Sequence, residues 1–239
     1  MAVLLLRLAG PLQSWGTQSR FDYRDTGLEP SKSGVVGLLS CALGRGREQD
    51  VSDLAALRMG VRIDRPGYLE TDYHTASKVR TVPKGGPGRV EYVPTVQSWR
   101  QYLADGSFLV GLEGEFSFLQ TLDTALRAPV WPLSLGRKSF VPCEPIAMPR
   151  KSPLGPGVRE GGLEEVLRTY PWIYGSKLLP SGLLLALEVP LSEAESSRED
   201  QPVGAAFSTR HFTSRGVRSS KISTAALDSS GTLFQTGGS

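Results

Sequence analysis

The stretch SLGRKS at residues 134–139 sets Arg137, Lys138 and Ser139 directly after Gly136. Two adjacent cations cannot both be buried cheaply, so this segment is expected at the surface, facing an anion. A second stretch, SWR at 98–100, places Trp99 beside Arg100. A third, GPLQSWG at 10–16, puts Gln13 and Trp15 in a loop after an apolar run. Aromatic rings stack on splayed bases while Arg and Lys hold phosphates, and a glycine lets backbone approach a nucleic-acid strand closely. Core packing is the competing role for Trp15 and Trp99.

Two further stretches carry candidate chemistry. EPSKSGVVGLLSCALG at 29–44 has Val35, Leu38, Leu39 and Ala42 on one helical face, and Gly44 where helices commonly end. Ser31 or Ser33 suits the N-cap. The free N–H groups of a helix start also attract anions, so Lys32 and Ser33 are candidates for a phosphate seat as well as for a cap. DYHT at 72–75 offers His74 as a general acid/base, with Tyr73 and Lys78 close by in sequence. Such a set could assist metal-independent RNA cleavage by in-line attack of a 2′-hydroxyl; a hydrogen-bonded structural histidine is the competing role. A phosphate-loop reading fails because Ser31 stands where the glycine before Lys32 should be. Zinc spacings, HExxH, EF-hand loops and GxSxG elbows do not occur, so neither metal nor cofactor is expected.

The elements that must position these residues follow from the hydrophobic pattern. The spacing predicts strands at 3–8, 61–65, 107–114, 182–191 and 205–217, and helices from Val35 and over 51–60, 118–129 and 162–170. Residues 10–33 read as a long loop, and 66–95, with KGGPGR at 84–89, as a protruding hairpin or flexible insertion. This order suggests an α+β, ferredoxin-like domain with an antiparallel sheet. The chain has 239 residues, 39% of them hydrophobic, which fits one large domain. Two cysteines, Cys41 and Cys143, fit a reducing cytoplasm, and MAVLLLRLAG reads as a buried strand rather than a signal peptide. The net charge of +3 says less than its distribution. Residues 77–101 carry Lys78, Arg80, Lys84, Arg89 and Arg100 against Glu91, and 207–221 carry Arg210, Arg215, Arg218 and Lys221 with no acid. Clustered positive charge is the footprint of a polyanion partner.

LLLRLAGPLQSWG, PSKSGVVGLLSCALG, DYHT, QSWRQYLADGSF, SLGRKS and RHFTSR follow one another in an order that resembles the CasD family. Its members are the RAMP-superfamily subunits of Cascade, the type I-E CRISPR surveillance complex. The resemblance implies a ferredoxin-like, RRM-related palm over 1–216 with a thumb inserted at about 72–98; the composition of 217–239 reads as a flexible Ser/Gly-rich tail. It implies a non-catalytic, RNA-binding, cytoplasmic role in antiviral defence: capping the 5′ handle of the CRISPR RNA (crRNA). The partners would be the backbone subunit CasC, the large subunit CasA and, indirectly, target DNA. A type I-C relative cuts precursor RNA with a Tyr/Lys/His-type site, which keeps Tyr73, His74 and Lys78 as the runner-up reading. Carried over residue by residue, Arg100 and the 136–139 segment become handle contacts, with Gln13, Trp15, Lys32 and Ser33 as further candidates. Ser134 stands where the family often has an aromatic, with Trp131 nearby. Lys78, Arg80, Lys84 and Arg89 fit a basic thumb, and Arg210 of RHFTSR joins the set.

Overall fold

A computed structural model describes residues 1–16, 22–81, 91–149, 157–172 and 180–224. The first half of the chain forms β1 (Ala2–Ala9), β2 (Leu12–Gln13), β3 (Tyr23–Arg24), α1 (Lys32–Leu43), α2 (Ser52–Ala55) and β4 (Arg58–Arg65). There follow β5 (Tyr68–Thr81), β6 (Glu91–Ala104), β7 (Ser107–Gly114) and α3 (Phe116–Arg127). The second half adds β8 (Val158–Glu160), α4 (Leu163–Thr169), β9 (Gly182–Val189), β10 (Ser196–Pro202), α5 (Ala206–Thr209) and β11 (Phe212–Ser223). The chain is a mixed α+β protein built on an antiparallel sheet of seven strands, ordered β10-β11-β9-β4-β7-β1-β8.

Strand β1 explains why the sheet has a layer on each side. Successive side chains of a strand point to opposite faces. Leu4, Leu6 and Leu8 enter one core with Val35, Leu39, Leu119 and Leu122, under α1 and α3. Val3 and Leu5 enter a second core with Leu163, Leu167 and Tyr170, under α4. With both faces covered, the strand reads as a continuous apolar run. Helix α1 starts at an N-cap Ser31, whose side chain accepts from the Gly34 N–H, and stops at Gly44 in the left-handed region, φ 71°. Both ends match the expectation from sequence.

Strands β5 and β6 pair from Tyr68 opposite Ala104 to Thr81 opposite Glu91. Fourteen residues in each strand give a hairpin about 45 Å long at the usual strand rise. Strands β2 and β3 add to its β6 side as a second sheet. The described part of the insertion read from sequence at 66–95 is thus an antiparallel strand pair whose second arm extends to Ala104; residues 82–90 lie outside the described residues.

Three expectations change. The helix expected over 51–60 keeps only Ser52–Ala55, because Arg58 already enters β4 between β7 and β9. The strand expected over 205–217 splits into α5 and β11, and β11 runs on to Ser223, past the expected start of the tail. Residues 225–239 lie outside the described residues. The acidic run near 193–200 contains a strand, β10, at the sheet edge, where its register against β11 shifts between Arg198 and Gln201. No helix among the described residues is long and apolar enough to cross a membrane.

Candidate nucleic-acid interface

The pairing of β3, β6 and β5 aligns residues into two rows. Tyr23 lies beside Trp99 in a parallel pair and Tyr73 lies opposite Trp99 in an antiparallel pair. One residue along, Arg24 lies beside Arg100, which faces Asp72. Because side chains alternate along a strand, the aromatic row and the charged row occupy opposite faces. The aromatic row is a ring cluster: Tyr23 to Trp99 centroids are 6.3 Å apart at 17°, and Tyr73 to Trp99 centroids 5.4 Å apart at 53°.

The charged row opens into a cleft of about 320 Å³ lined by Ser14, Gly16, Arg24, Asp25, Arg100 and Arg137. Arg100 Nε donates to Ser98 Oγ at 3.0 Å, and Arg137 Nη2 to the Gln101 carbonyl at 3.1 Å, with its guanidinium over the Phe140 ring. Burial lowers the Arg137 pKa from its ordinary value, and Arg100 and Arg24 lower it further, against the pull of Asp72 and Tyr102. Three guanidinium groups share a small space with one lining carboxylate, Asp25. An anion entering it relieves their mutual repulsion.

The loops that hold the cleft explain Gln13 and Trp15. Gln13 is fully buried; its Nε2 donates to the Gly106 carbonyl at 2.8 Å and its Oε1 accepts from the Trp15 indole N–H at 3.0 Å. The Trp15 backbone N–H donates to Thr26 Oγ1 and its carbonyl accepts from the Gly27 N–H, both at 2.8 Å. The Ser14 N–H donates to the Leu135 carbonyl at 3.0 Å. A Cβ at Gly136, φ +94°, would stand 1.8 Å from the Ser14 carbonyl oxygen. The glycine of SLGRKS therefore serves a close approach within the protein. Gln13 and Trp15 are corrected from RNA contacts to buried struts: a 1% exposed indole offers no face to a base.

Lys32 is corrected too. It is 2% exposed, and its Nζ donates to both Glu188 carboxylate oxygens at 2.8 Å. The Lys32 backbone N–H, which a phosphate would need, donates to Asp200 Oδ2 at 2.7 Å. Asp200 is in turn held by Arg215 through two bonds of 2.9 Å. Burial lowers the Lys32 pKa, with Glu188 opposing it. The anion at this helix start is the protein's own carboxylate. Ser33 is half-buried, its hydroxyl donating to the cap Ser31 Oγ at 3.4 Å. Lys32→Met is expected to cost about 1–3 kcal/mol in urea unfolding and to leave RNA affinity within about twofold. A selective loss of RNA binding would restore the phosphate seat.

Of the remaining candidates, Lys138 and Ser139 are exposed beside Arg137, and Lys78, Arg80 and Arg210 are exposed elsewhere. Lys78, φ 54°, and Arg80 sit far along the hairpin, and Arg210, φ 53°, closes α5. Lys84 and Arg89 lie outside the described residues. The runner-up catalytic set does not converge. Tyr73 and His74 are neighbours on one strand and so point to opposite faces, and Lys78 lies about 13 Å further along. His74 Nδ1 stands 3.5 Å from an Asp72 carboxylate oxygen on its own face. Sequence reasoning passed over Tyr23 and Arg24. Their signal was local, an aromatic next to a cation, the same pairing that drew attention to Trp99 and Arg100.

A sequence model described as CRISPR-associated protein (Cas_Cas5) matches residues 3–218. The chain is 36% identical over 151 residues to the CRISPR system Cascade subunit CasD of Escherichia coli, covering 57% of this chain. The match spans 65% of that relative's length. A solved structure described as a Cas protein superposes with a TM-score of 0.73 at 47% identity, covering 94% of this chain and 97% of the other. A chain from a CRISPR RNA-guided surveillance complex superposes with a TM-score of 0.70 at 31% identity, covering 94% and 92%. The chain belongs to the Cas_Cas5 family of CRISPR-associated proteins.

Proposed function

We propose that the chain is the subunit of a CRISPR surveillance complex that grips the 5′ handle of the crRNA without cutting it. The observation that carries this reading is the cleft of Arg24, Arg100 and Arg137 at the base of the β5–β6 hairpin, with Lys138 and Ser139 next in sequence. Phosphate contacts of this kind fix the register of a strand, and base contacts select it. The unit β1–α1–β4–β7–α3–β8, with neighbours in the order β8-β1-β7-β4, supports a ferredoxin-like, RAMP-type palm. In this reading the hairpin is the thumb and the palm domain runs to the end of β11. The names of the relatives support membership of a Cascade-like assembly; in this reading the assembly is cytoplasmic, and a CasC-like backbone subunit and a CasA-like large subunit would be its neighbours. The divergence of Tyr73, His74 and Lys78 favours holding over cleavage.

The test is reconstitution of the complex on crRNA carrying a photocrosslinker in the handle. Crosslinks to this subunit should depend on the handle and vanish on RNA lacking it. Equal crosslinking to handle-less RNA would refute the assignment. Metal-independent cleavage of precursor RNA that disappears in His74→Ala would replace it with the nuclease reading.

A further inference from the structure

We infer that the row Tyr23–Trp99–Tyr73 is a stacking platform for unpaired nucleobases, presented on the face opposite the arginine cleft. This deepens the RNA-binding reading above and rests on it. The three rings are 54%, 37% and 54% exposed, although they stand on three adjacent strands whose pairing holds them in line. Cross-strand ring contacts stiffen a sheet, but rings this exposed also leave aromatic surface open to solvent.

The surroundings favour bases over an apolar protein segment. Residues two apart on a strand share a face, which places Thr71 and Thr75 beside Tyr73, and Gln97 and Gln101 beside Trp99. The aromatic row is thus flanked by amides and hydroxyls, with Leu69, 49% exposed, beyond Thr71 on the same face. Flat apolar faces with hydrogen-bonding groups around them match a nucleobase, whose faces are apolar and whose edges are polar. Tyr23 and Trp99 each precede an arginine of the cleft in sequence, so the rings and the guanidinium groups belong to one stretch of sheet and stand on its two faces. The arginines supply the salt-dependent part of the affinity and the rings a part that salt does not screen.

The division of labour is testable with the full-length protein and two probes of equal length, a single-stranded oligoadenylate and an abasic sugar-phosphate strand. Trp99→Ala is expected to weaken oligoadenylate binding by about fivefold to a hundredfold, with an unchanged salt slope and unchanged abasic binding. Tyr73→Ala should do the same to a smaller degree, and Trp99→Phe should restore most of the loss. Arg100→Ala should weaken both probes and flatten the slope. Equal loss on both probes in Trp99→Ala, or no loss on either, overturns the platform while leaving the cleft. Normal RNA binding with failed subunit assembly would reassign the row to a protein partner. A wild-type protein that binds neither probe sinks the RNA-binding reading itself, and the platform with it.

Discussion

Arg62→Ala is expected to remove about 3–5 kcal/mol of folding stability, a large share of the roughly 5–15 kcal/mol a domain has. Arg62 is fully buried in β4. Its Nε donates to Asp64 Oδ1 at 2.7 Å and its Nη2 to Asp64 Oδ2 at 3.2 Å. Its Nη1 donates to the Leu167 carbonyl at 3.0 Å and to the Tyr170 carbonyl, satisfying acceptors at the end of α4. Alanine would leave those acceptors unmet and strand a buried carboxylate.

The pH dependence follows from Asp64. Burial pushes its carboxyl up from the ordinary value, against the pull of Arg62. Without Arg62 the burial stands less opposed and the folded-state pKa rises further. A carboxyl whose pKa is higher folded than unfolded binds more protons in the folded state, so stability falls as pH rises between the two values. The deficit of Arg62→Ala should therefore be largest near neutrality and shrink as pH approaches 4, as read from urea midpoints. A deficit that grows toward acid would contradict the burial argument. Replacing both partners, Arg62→Met with Asp64→Leu, should recover the share owed to the stranded carboxylate, while the unmet Leu167 and Tyr170 carbonyls keep the rest of the deficit.

The second large effect belongs to the cleft. Arg24→Ala, Arg100→Ala and Arg137→Ala are each expected to lower RNA affinity about tenfold, from the loss of a charge-assisted hydrogen bond. The triple variant should lose about a thousandfold if the sites act independently. The clearer readout is the slope of log K against log salt. Each lost single-strand phosphate contact reduces its magnitude by about 0.7, so the triple variant should flatten it by about 2. Arg24 is exposed, and surface substitutions typically move stability by about 0.5 kcal/mol or less; Arg100 and Arg137 are half-buried and each also gives up a hydrogen bond, to Ser98 or Gln101, for about 0.5–1.5 kcal/mol. A flattened slope in a protein that still melts cooperatively is the expected pair of results; an unaltered slope would place the phosphates elsewhere.

Much of the scaffold was legible in the sequence because it rests on local rules. The apolar face of α1, its Ser31 cap and its Gly44 stop are written within fourteen residues. The alternation of VRIDR marks a strand, but α4 lies over the face that carries Arg62 and Asp64, so the polar side is buried and not solvated. Strand β10 was hidden because an edge strand need not alternate apolar residues, and its buried Asp200 is matched by Arg215 rather than by hydrophobic neighbours. The site divides in the same way. Arg100 and Arg137, which line the candidate cleft, were singled out through their local motifs. Gln13, Trp15 and Lys32 were misplaced because burial is decided by remote partners such as Gly106, Glu188 and Asp200.

The capping of α1 by Asp200 also sets an order of events during synthesis. The two residues are 168 positions apart, which at about 5–20 residues per second separates their emergence from the ribosome by about 8 to 34 s. Over that interval the first helix lacks the carboxylate at its start, and over most of it the Glu188 partner for Lys32 as well, 156 positions away. The N-terminal segment must therefore wait, partly assembled, for the last strands to arrive. The C-terminal strands thus act as a lock on the first helix, and a chain terminated before β10 would leave the ribosome with that helix still open.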